Sequence, residues 1–112
     1  MALKVNIKTT RVRLDPLIRA AIGKAGEYIE KNSSGHTVDL LSVEVGRATE
    51  HHQKGQIFFA EFQLMHPRTR KAEFRAREQD ENIITAVHAA RDELTRQLRT
   101  AKDKRRARAR EV

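Results

Sequence analysis

The sequence contains no cysteine and no tryptophan, and it has only four phenylalanines and one tyrosine in 112 residues. The absence of cysteine excludes disulfides, thiolate nucleophiles and zinc sites built on cysteine. Because aromatic side chains are scarce, the core is expected to be mostly aliphatic. The sequence has no long apolar run that predicts a membrane span, and its first residues lack the apolar block of a signal peptide. We therefore expect a cytoplasmic protein.

Positive charge is concentrated near the C-terminal end of the chain. The formal net charge is +8; residues 1–90 carry 14 Lys and Arg against 11 Asp and Glu, whereas residues 91–112 carry 9 against 4. A local excess of this kind is typical of a segment that binds a polyanion. A solvated, frayed basic tail is the alternative interpretation.

Four segments alternate between apolar and polar residues, which predicts strands with one buried face. They span residues 2–9, 38–46, 56–65 and 71–78. In the third segment Phe59 falls on the outward face and is expected to be exposed. In the second segment Val38 and Leu40 fall out of phase with the residues that follow, which favours a bulge near Leu40. Short turns join the last three strands, so we expect them to be antiparallel neighbours.

Two segments have the spacing of amphipathic helices. The first begins at Asp15 and Pro16, because Asp accepts hydrogen bonds from free backbone N–H groups and proline fits the first turn. The second begins after Asp80 and carries an apolar stripe that ends at Leu98. We expect this second helix to leave the domain near Lys102.

The order β-α-β-β-β-α predicts an α+β fold. A sheet with one apolar face needs a second layer, and the two amphipathic helices can supply it. The predicted architecture is a two-layer sandwich in which a four-stranded sheet has two helices packed on one face. A chain of this length forms one domain, which we place at residues 1–102, followed by a basic C-terminal tail at residues 103–112.

The sequence contains no recognisable catalytic pattern. G-x-S-x-G, a phosphate-binding glycine loop and His-Glu-x-x-His spacing are all absent, and no nucleophile is paired with a base. His51 and His52 lie in a polar segment whose nearest carboxylate is Glu50, so we interpret the segment as an exposed loop rather than a metal site. We expect no enzyme activity, no cofactor, no metal ion and no small-molecule substrate.

The second helix predicts a basic surface. If Leu94 points toward the core and each residue advances the helix by about 100°, one flank carries Arg91, Arg99, Lys102, Arg106 and Arg110. Such a stripe contacts phosphates without reading a nucleotide sequence. Three further cations lie elsewhere on the helix and add to its positive field: Lys104, Arg105 and Arg108.

Several local patterns carry a family resemblance. The segment Asp92-x-Leu94-x-Arg96-Gln97-Leu98-Arg99-x-x-Lys102 is similar to the second-helix pattern D-x-L-x-R-Q-L-R-x-x-K. Phe74-Arg75-Ala76 resembles the L-R-A of a last strand, and Lys24 matches a lysine in the first helix. With the order of elements, these patterns resemble the short form of the hibernation-promoting factor / ribosome-associated inhibitor family. That family is also called the sigma-54 modulation or ribosomal-subunit interface protein family.

The resemblance implies a ribosome hibernation factor that binds the 30S subunit and its 16S rRNA in the decoding region. Members of the family occupy the tRNA and mRNA path there and inhibit translation under stress or in stationary phase. The implied fold is similar to a double-stranded RNA-binding domain, and we expect a monomer off the ribosome. By resemblance, the rRNA contacts are Arg75, Arg96, Arg99, Lys102, Lys24 and Gln97. Charge and geometry add Arg91, Lys104, Arg105, Arg106, Arg108 and Arg110.

Two other classes of function stay open. A general double-stranded RNA-binding module would bind any RNA duplex with comparable affinity and steep salt dependence. A protein-interaction adaptor would use Phe59 and Met65 on the outer face of the sheet, and its basic tail would serve only as a solubilising segment.

Overall fold

The computed structural model describes residues 3–48 and 57–110, with only the backbone of Arg110. Six elements follow one another in the predicted order within these residues. They are β1 (Lys4–Thr10), α1 (Pro16–Asn32), β2 (Leu40–Arg47), β3 (Phe58–Met65), β4 (Ala72–Asp80) and α2 (Ile83–Arg110). The predicted α+β class is confirmed. His51 and His52 lie outside the described residues.

The four strands form one mixed sheet in the order β1-β2-β3-β4. β1 runs parallel to β2, with Ile7 opposite Val43, because α1 returns the chain between them. β2, β3 and β4 are antiparallel neighbours, with Val43 opposite Phe62 and Phe62 opposite Ala76. The expected antiparallel pairing of the last three strands is therefore confirmed.

Local sequence determines both ends of α1. The carboxylate of Asp15 accepts a hydrogen bond from the backbone N–H of Ile18 at 2.8 Å, and Pro16 occupies the first turn. The helix ends at Asn32. Gly35 then adopts a φ of 86°, a left-handed conformation that is open to glycine because it has no Cβ.

The core lies between the inner face of the sheet and the two helices, where residues of both layers form one hydrophobic cluster. Its largest fully buried side chains include Phe62, Ile22, Ile29, Leu41, Leu64, Leu94 and Leu98. Burying one such side chain completely contributes roughly 1.5–3 kcal/mol. The predicted packing of both helices on one face of the sheet is confirmed.

The irregularity in the sheet lies elsewhere than expected. β2 begins at Leu40, which pairs in regular register with Lys4 and Met65, so the expected bulge near Leu40 is wrong. Val38 is out of phase because it precedes the strand. The register shift lies at the start of β4, where the pairing with β3 skips Glu73.

One aromatic ring on the outer face of the sheet is buried beneath a neighbouring side chain. Phe59 is only 5% exposed, so the expectation of an exposed ring is wrong. The ring packs against Gly46 of β2, where the missing Cβ leaves room for it. The guanidinium of Arg77 then stacks on the ring, 4.1 Å from its centroid. Two neighbouring strands thus bury a ring that alternation alone places in solvent.

We predict that Gly46→Ala destabilises the protein by about 2–3 kcal/mol. A Cβ at this position would collide with the backbone carbonyl oxygen of Thr10 and lie 2.9 Å from Cε1 of Phe59, so the backbone must shift. Urea denaturation measures the free energy of unfolding.

The matched control for this prediction is Gly23→Ala in α1. A Cβ there meets no atom within 4 Å, and replacing a glycine in a helix interior is expected to stabilise the protein by about 0.5–1 kcal/mol. Equal stability of Gly46→Ala and the wild type would contradict the proposed close approach of β1, β2 and Phe59.

Candidate nucleic-acid interface

α2 is a helix of 28 residues, roughly 42 Å long at about 1.5 Å per residue. The side-chain oxygen of Asn82 caps its start by accepting hydrogen bonds from two backbone N–H groups of the first turn, at 2.9 and 3.2 Å. Its buried stripe ends at Leu98, and residues 103–109 are exposed. The helix continues without a break past Lys102 to Arg110. The boundary between domain and tail at Lys102 stays a prediction.

One flank of α2 carries cations and borders α1. The guanidinium of Arg91 lies 5.3 Å from the centroid of the Tyr28 ring, and its Nη2 is 2.9 Å from Oδ1 of Asp92, with which it forms an ion pair. Nη2 of Arg99 donates a hydrogen bond to the hydroxyl of Tyr28 at 3.2 Å. Lys102 and Arg106 line a shallow depression farther along the helix, beside the loop that follows α1. The structure therefore brings together four of the five cations that the helical spacing predicts as a stripe.

Lys24 belongs to the same surface. It is exposed on α1 and lies four residues before Tyr28, so the two side chains share one face of that helix. Tyr28 is 40% exposed and was not among the predicted site residues, because only the packing of α1 on α2 places its ring between arginines. Six residues form this α1–α2 basic surface: Lys24, Tyr28, Arg91, Arg99, Lys102 and Arg106.

Two further predicted arginines are paired with carboxylates, and the first of them, Arg96, lines a depression beside Tyr28 and Arg99. Nη2 of Arg96 is 2.8 Å from Oε1 of Glu93, and the hydrogen bond from Arg96 lowers the pKa of Glu93. Arg75 lies on the outer face of the sheet, where its Nη2 is 3.1 Å from Oε1 of Glu61. An RNA phosphate at either position would compete with the carboxylate or bind the remaining N–H groups of the guanidinium.

Gln97 links α2 to the edge strand β4. Its Nε2 donates to the backbone carbonyl oxygen of Arg75 at 2.8 Å, and its Oε1 accepts from the backbone N–H of Arg75 at 3.3 Å. The amide thus bonds to both polar groups of one residue on the edge of the sheet. In this position Gln97 stabilises the packing of α2 on β4.

The remaining predicted cations lie near the C-terminal end of α2. Lys104 and Arg108 are exposed and line a cleft on the side of α2 that borders β4. Arg105 donates to the backbone carbonyl oxygen of Gly35 at 2.8 Å, so it attaches the loop after α1 to the distal part of α2. The side chain of Arg110 lies outside the described residues.

A buried carboxylate, which the sequence analysis missed, organises the outer face of the sheet. Glu61 is 6% exposed and accepts hydrogen bonds from Gln63 at 2.8 Å, Arg75 at 3.1 Å and Arg77 at 3.4 Å. Burial raises the pKa of Glu61, but the hydrogen bonds from Gln63, Arg75 and Arg77 outweigh burial and leave the pKa below its usual value. The ionised carboxylate therefore offsets the charge of two arginines on this face.

A metal site and a membrane-spanning helix are both absent from the described residues. In residues 3–48 and 57–110, no three His, Asp or Glu side chains are grouped so that they could hold a metal ion. None of the helices within these ranges has the length and apolar character needed to cross a bilayer. Glu50, which was considered with His51 and His52, also lies outside the described residues. The main candidate site is therefore a row of cations along an exposed helix flank.

The fold and this flank together define a small α+β protein with a helical surface suited to a polyanion. The chain belongs to the Sigma 54 modulation protein / S30EA ribosomal protein family, whose sequence profile matches residues 5–106. This membership confirms the family resemblance found in the sequence and indicates a ribosome-associated modulation protein.

Solved structures similar to this chain include the following two. A ribosomal subunit interface protein from Coxiella burnetii has a TM-score of 0.67 and 11% sequence identity, and the match covers 90% of this chain and 99% of that one. The N-terminal domain of Thermus thermophilus Protein Y has a TM-score of 0.56 and 18% identity, with 88% and 96% covered. At these identities the likeness shows the fold alone. No curated protein sequence matches the chain.

We predict that Gln97→Ala lowers the free energy of unfolding by about 1 kcal/mol. The variant loses both hydrogen bonds to the backbone of Arg75, although water can partly replace them at this exposed edge. Urea denaturation measures the loss. Thr100→Ala, at an exposed position three residues later, is the control and should keep or slightly raise stability. Weaker RNA binding by Gln97→Ala at unchanged stability would contradict a structural role.

We predict that ionised Glu61 stabilises the protein and that this contribution is lost in acid. Its pKa in the folded protein is below the ordinary value of 4.5. Between these two values the folded state binds fewer protons than the unfolded chain, so stability falls as pH falls through that window. Glu61→Gln should be less stable than the wild type by about 1–2 kcal/mol at neutral pH.

Urea denaturation of both proteins, from about pH 7 to about pH 3, isolates the contribution of Glu61, because other titrating groups are common to the pair. The difference in stability should persist down to about pH 5 and then narrow. A difference that stays constant over this range would show that the charge of Glu61 contributes nothing.

Proposed function

We propose that the protein is a ribosome hibernation factor that binds the small ribosomal subunit in the decoding region and inhibits translation under stress or in stationary phase. Its partners in this proposal are the 30S subunit and 16S rRNA, and its location is the cytoplasm. Membership of the family supports association with the ribosome. The observation that carries the proposal is the α1–α2 basic surface, which presents cations in a row.

The α1–α2 basic surface suits the backbone of structured RNA. Its α2 cations run from Arg91 to Arg106, a span of roughly 22 Å along the helix, so they can contact several phosphates at once. Contacts of this kind position a protein on RNA and contribute an affinity that falls with salt. Tyr28 adds a partly exposed ring on which an unpaired base can stack.

Inhibition by this route requires occupancy of the tRNA and mRNA path and no chemical step. A rigid domain bound there excludes both RNAs sterically, so we propose binding without enzyme activity. We further propose that the segment 103–112 adds affinity to the domain of residues 1–102 through the positive field of its cations. The protein is proposed to be monomeric off the ribosome.

A general double-stranded RNA-binding module is the second candidate function, because a row of cations contacts phosphates of any duplex. The adaptor hypothesis loses its main contact residue, since Phe59 lies beneath Arg77 and is 5% exposed. The two RNA-binding candidates differ in the partner they prefer, and that preference can be measured.

We predict that Arg99→Gln combined with Arg106→Gln weakens binding to purified 30S subunits by about 10–100-fold at moderate salt. Both side chains lie on the α1–α2 basic surface, so the slope of log affinity against log salt should fall by about 2. Lys4→Gln combined with Lys8→Gln removes the same charge from exposed positions of β1 and should leave the affinity unchanged. Co-sedimentation at several salt concentrations measures all three proteins.

Equal affinity of the wild type and the Arg99/Arg106 variant for 30S subunits would overturn the proposed surface. Failure of the wild type to associate with 30S subunits at moderate salt would overturn the proposed function. If the wild type binds a random RNA duplex as tightly as it binds 30S subunits, the general module is the correct function. Inhibition itself is measured by translation in vitro with and without the wild-type protein.

A further inference from the structure

A second positively charged feature lies away from the α1–α2 basic surface. A cleft of about 430 Å³ opens between the distal part of α2, the loop after α1, the turn between β3 and β4, and β4 itself. Phe74 contributes to its apolar wall. We call this space the histidine cleft. Its charged and imidazole side chains belong to His36, His66, Glu73, Lys104, Arg105 and Arg108.

His36 connects the loop after α1 to α2. Its Nε2 lies 3.2 Å from the carbonyl oxygen of Leu98, and its Nδ1 lies 3.0 Å from Nη2 of Arg105. A carbonyl oxygen only accepts and a guanidinium only donates, so in this arrangement Nε2 carries the proton and Nδ1 accepts. The ring also packs edge-on against Phe74, with centroids 5.1 Å apart. His36 is therefore held as a neutral imidazole.

The surroundings of His36 oppose its protonation. Burial lowers the pKa of His36, and the charges of Arg105 and Lys102 lower it further, while the hydrogen bond to Leu98 acts in the opposite direction. A negative charge placed beside the ring would reverse this balance. The binding of an anion in the cleft and the protonation of His36 are therefore linked, and each favours the other.

Donors from the other sides of the cleft complete the arrangement. Nδ1 of His66 accepts the backbone N–H of Arg68 at 3.1 Å, so the neutral ring carries its proton on Nε2 and offers it as a donor. Lys104 and Arg108 are exposed, and within the part of the chain that the structure describes neither forms an ion pair. Ammonium, guanidinium and imidazole donors thus surround one concave space.

The charge of the cleft favours an anion. Three permanent cations on α2 face a single carboxylate among the lining residues, Glu73 of β4, and His36 adds charge when it is protonated. Guanidinium groups match the geometry of phosphate oxygens, and lysine supplies a point charge beside them. The volume of the cleft exceeds what one phosphate group needs, so the rest of a larger molecule can extend along its apolar wall.

We propose that the histidine cleft binds a phosphate group and that binding becomes tighter in mild acid, when His36 gains a proton. A protonated His36 can no longer accept from Arg105, and the two cations repel each other. A phosphate oxygen between them accepts from both and removes the repulsion. The phosphate belongs either to an RNA backbone or to a free phosphorylated molecule, since both present the same oxygens.

NMR titration of the full chain with dimethyl phosphate, followed through the histidine ring signals, tests the proposal. This probe keeps one negative charge across the pH range, so its own titration does not affect the result. We expect saturable shifts at His36 and His66, with a Kd at least about ten-fold lower near pH 5.5 than near pH 8. Inorganic phosphate at fixed ionic strength, measured near pH 8, should bind the same residues.

Lys104→Gln combined with Arg108→Gln should raise the Kd for dimethyl phosphate at least about ten-fold. Both positions are exposed, so this variant should fold. Arg19→Gln combined with Lys31→Gln removes the same charge from exposed positions of α1 outside the cleft and should leave the Kd unchanged. A lack of saturation, an equal loss in both variants, or a Kd that does not change with pH would overturn the proposal.

Binding to 30S subunits then distinguishes the two sources of phosphate. If the cleft holds RNA backbone, 30S subunits displace dimethyl phosphate from the wild-type protein. If the cleft holds a free phosphorylated molecule, dimethyl phosphate stays bound when the protein binds 30S subunits. Either result supports a phosphate site. Because the NMR titration contains no ribosomes, its failure is distinguishable from failure of the proposed function.

Discussion

The burial of the apolar stripe of α2 against the sheet constrains most of the molecule. Leu94 and Leu98 are fully buried with Phe62 and Leu64 of β3 in the same core. This packing fixes the rotation of α2 about its own axis, so the residues roughly 60–160° from the core direction must border α1. The position of the cationic flank is therefore a consequence of core packing. The position of this flank does not depend on contacts among the cations themselves.

The same helix presents positive charge in two different ways. Along the α1–α2 basic surface the cations are spread over an exposed flank, which suits a long polyanion and gives contacts that depend strongly on salt. At the histidine cleft they surround a concave space that also contains two titratable rings. The first arrangement suits a ligand with many charged groups in a row, and the second suits a single charged group.

The outer face of the sheet differs from the helix side in its charge. Strand register places Lys8, Glu44, Glu61 and Arg77 in one row across the four strands. Two carboxylates in the middle of the row offset the cations at its ends, and Glu61 also pairs with Arg75. The charge on this face is thus nearly balanced, whereas the excess lies on the helices. This asymmetry favours the helix side for the proposed contact with RNA.

Sequence alone determined the order of the elements, the capped start of α1 and the cationic stripe of α2, because periodicity and capping are local properties of the chain. The family could also be read from motifs within single elements. Only the tertiary structure decided that Phe59 is buried, that Glu61 is shared by two arginines and that Gln97 bonds to β4. The tertiary structure also brings the side chains of His36 and Arg105 into contact, although the two residues are 69 positions apart in the chain. Contacts of this kind depend on strand register and helix packing, which no local pattern of residues specifies.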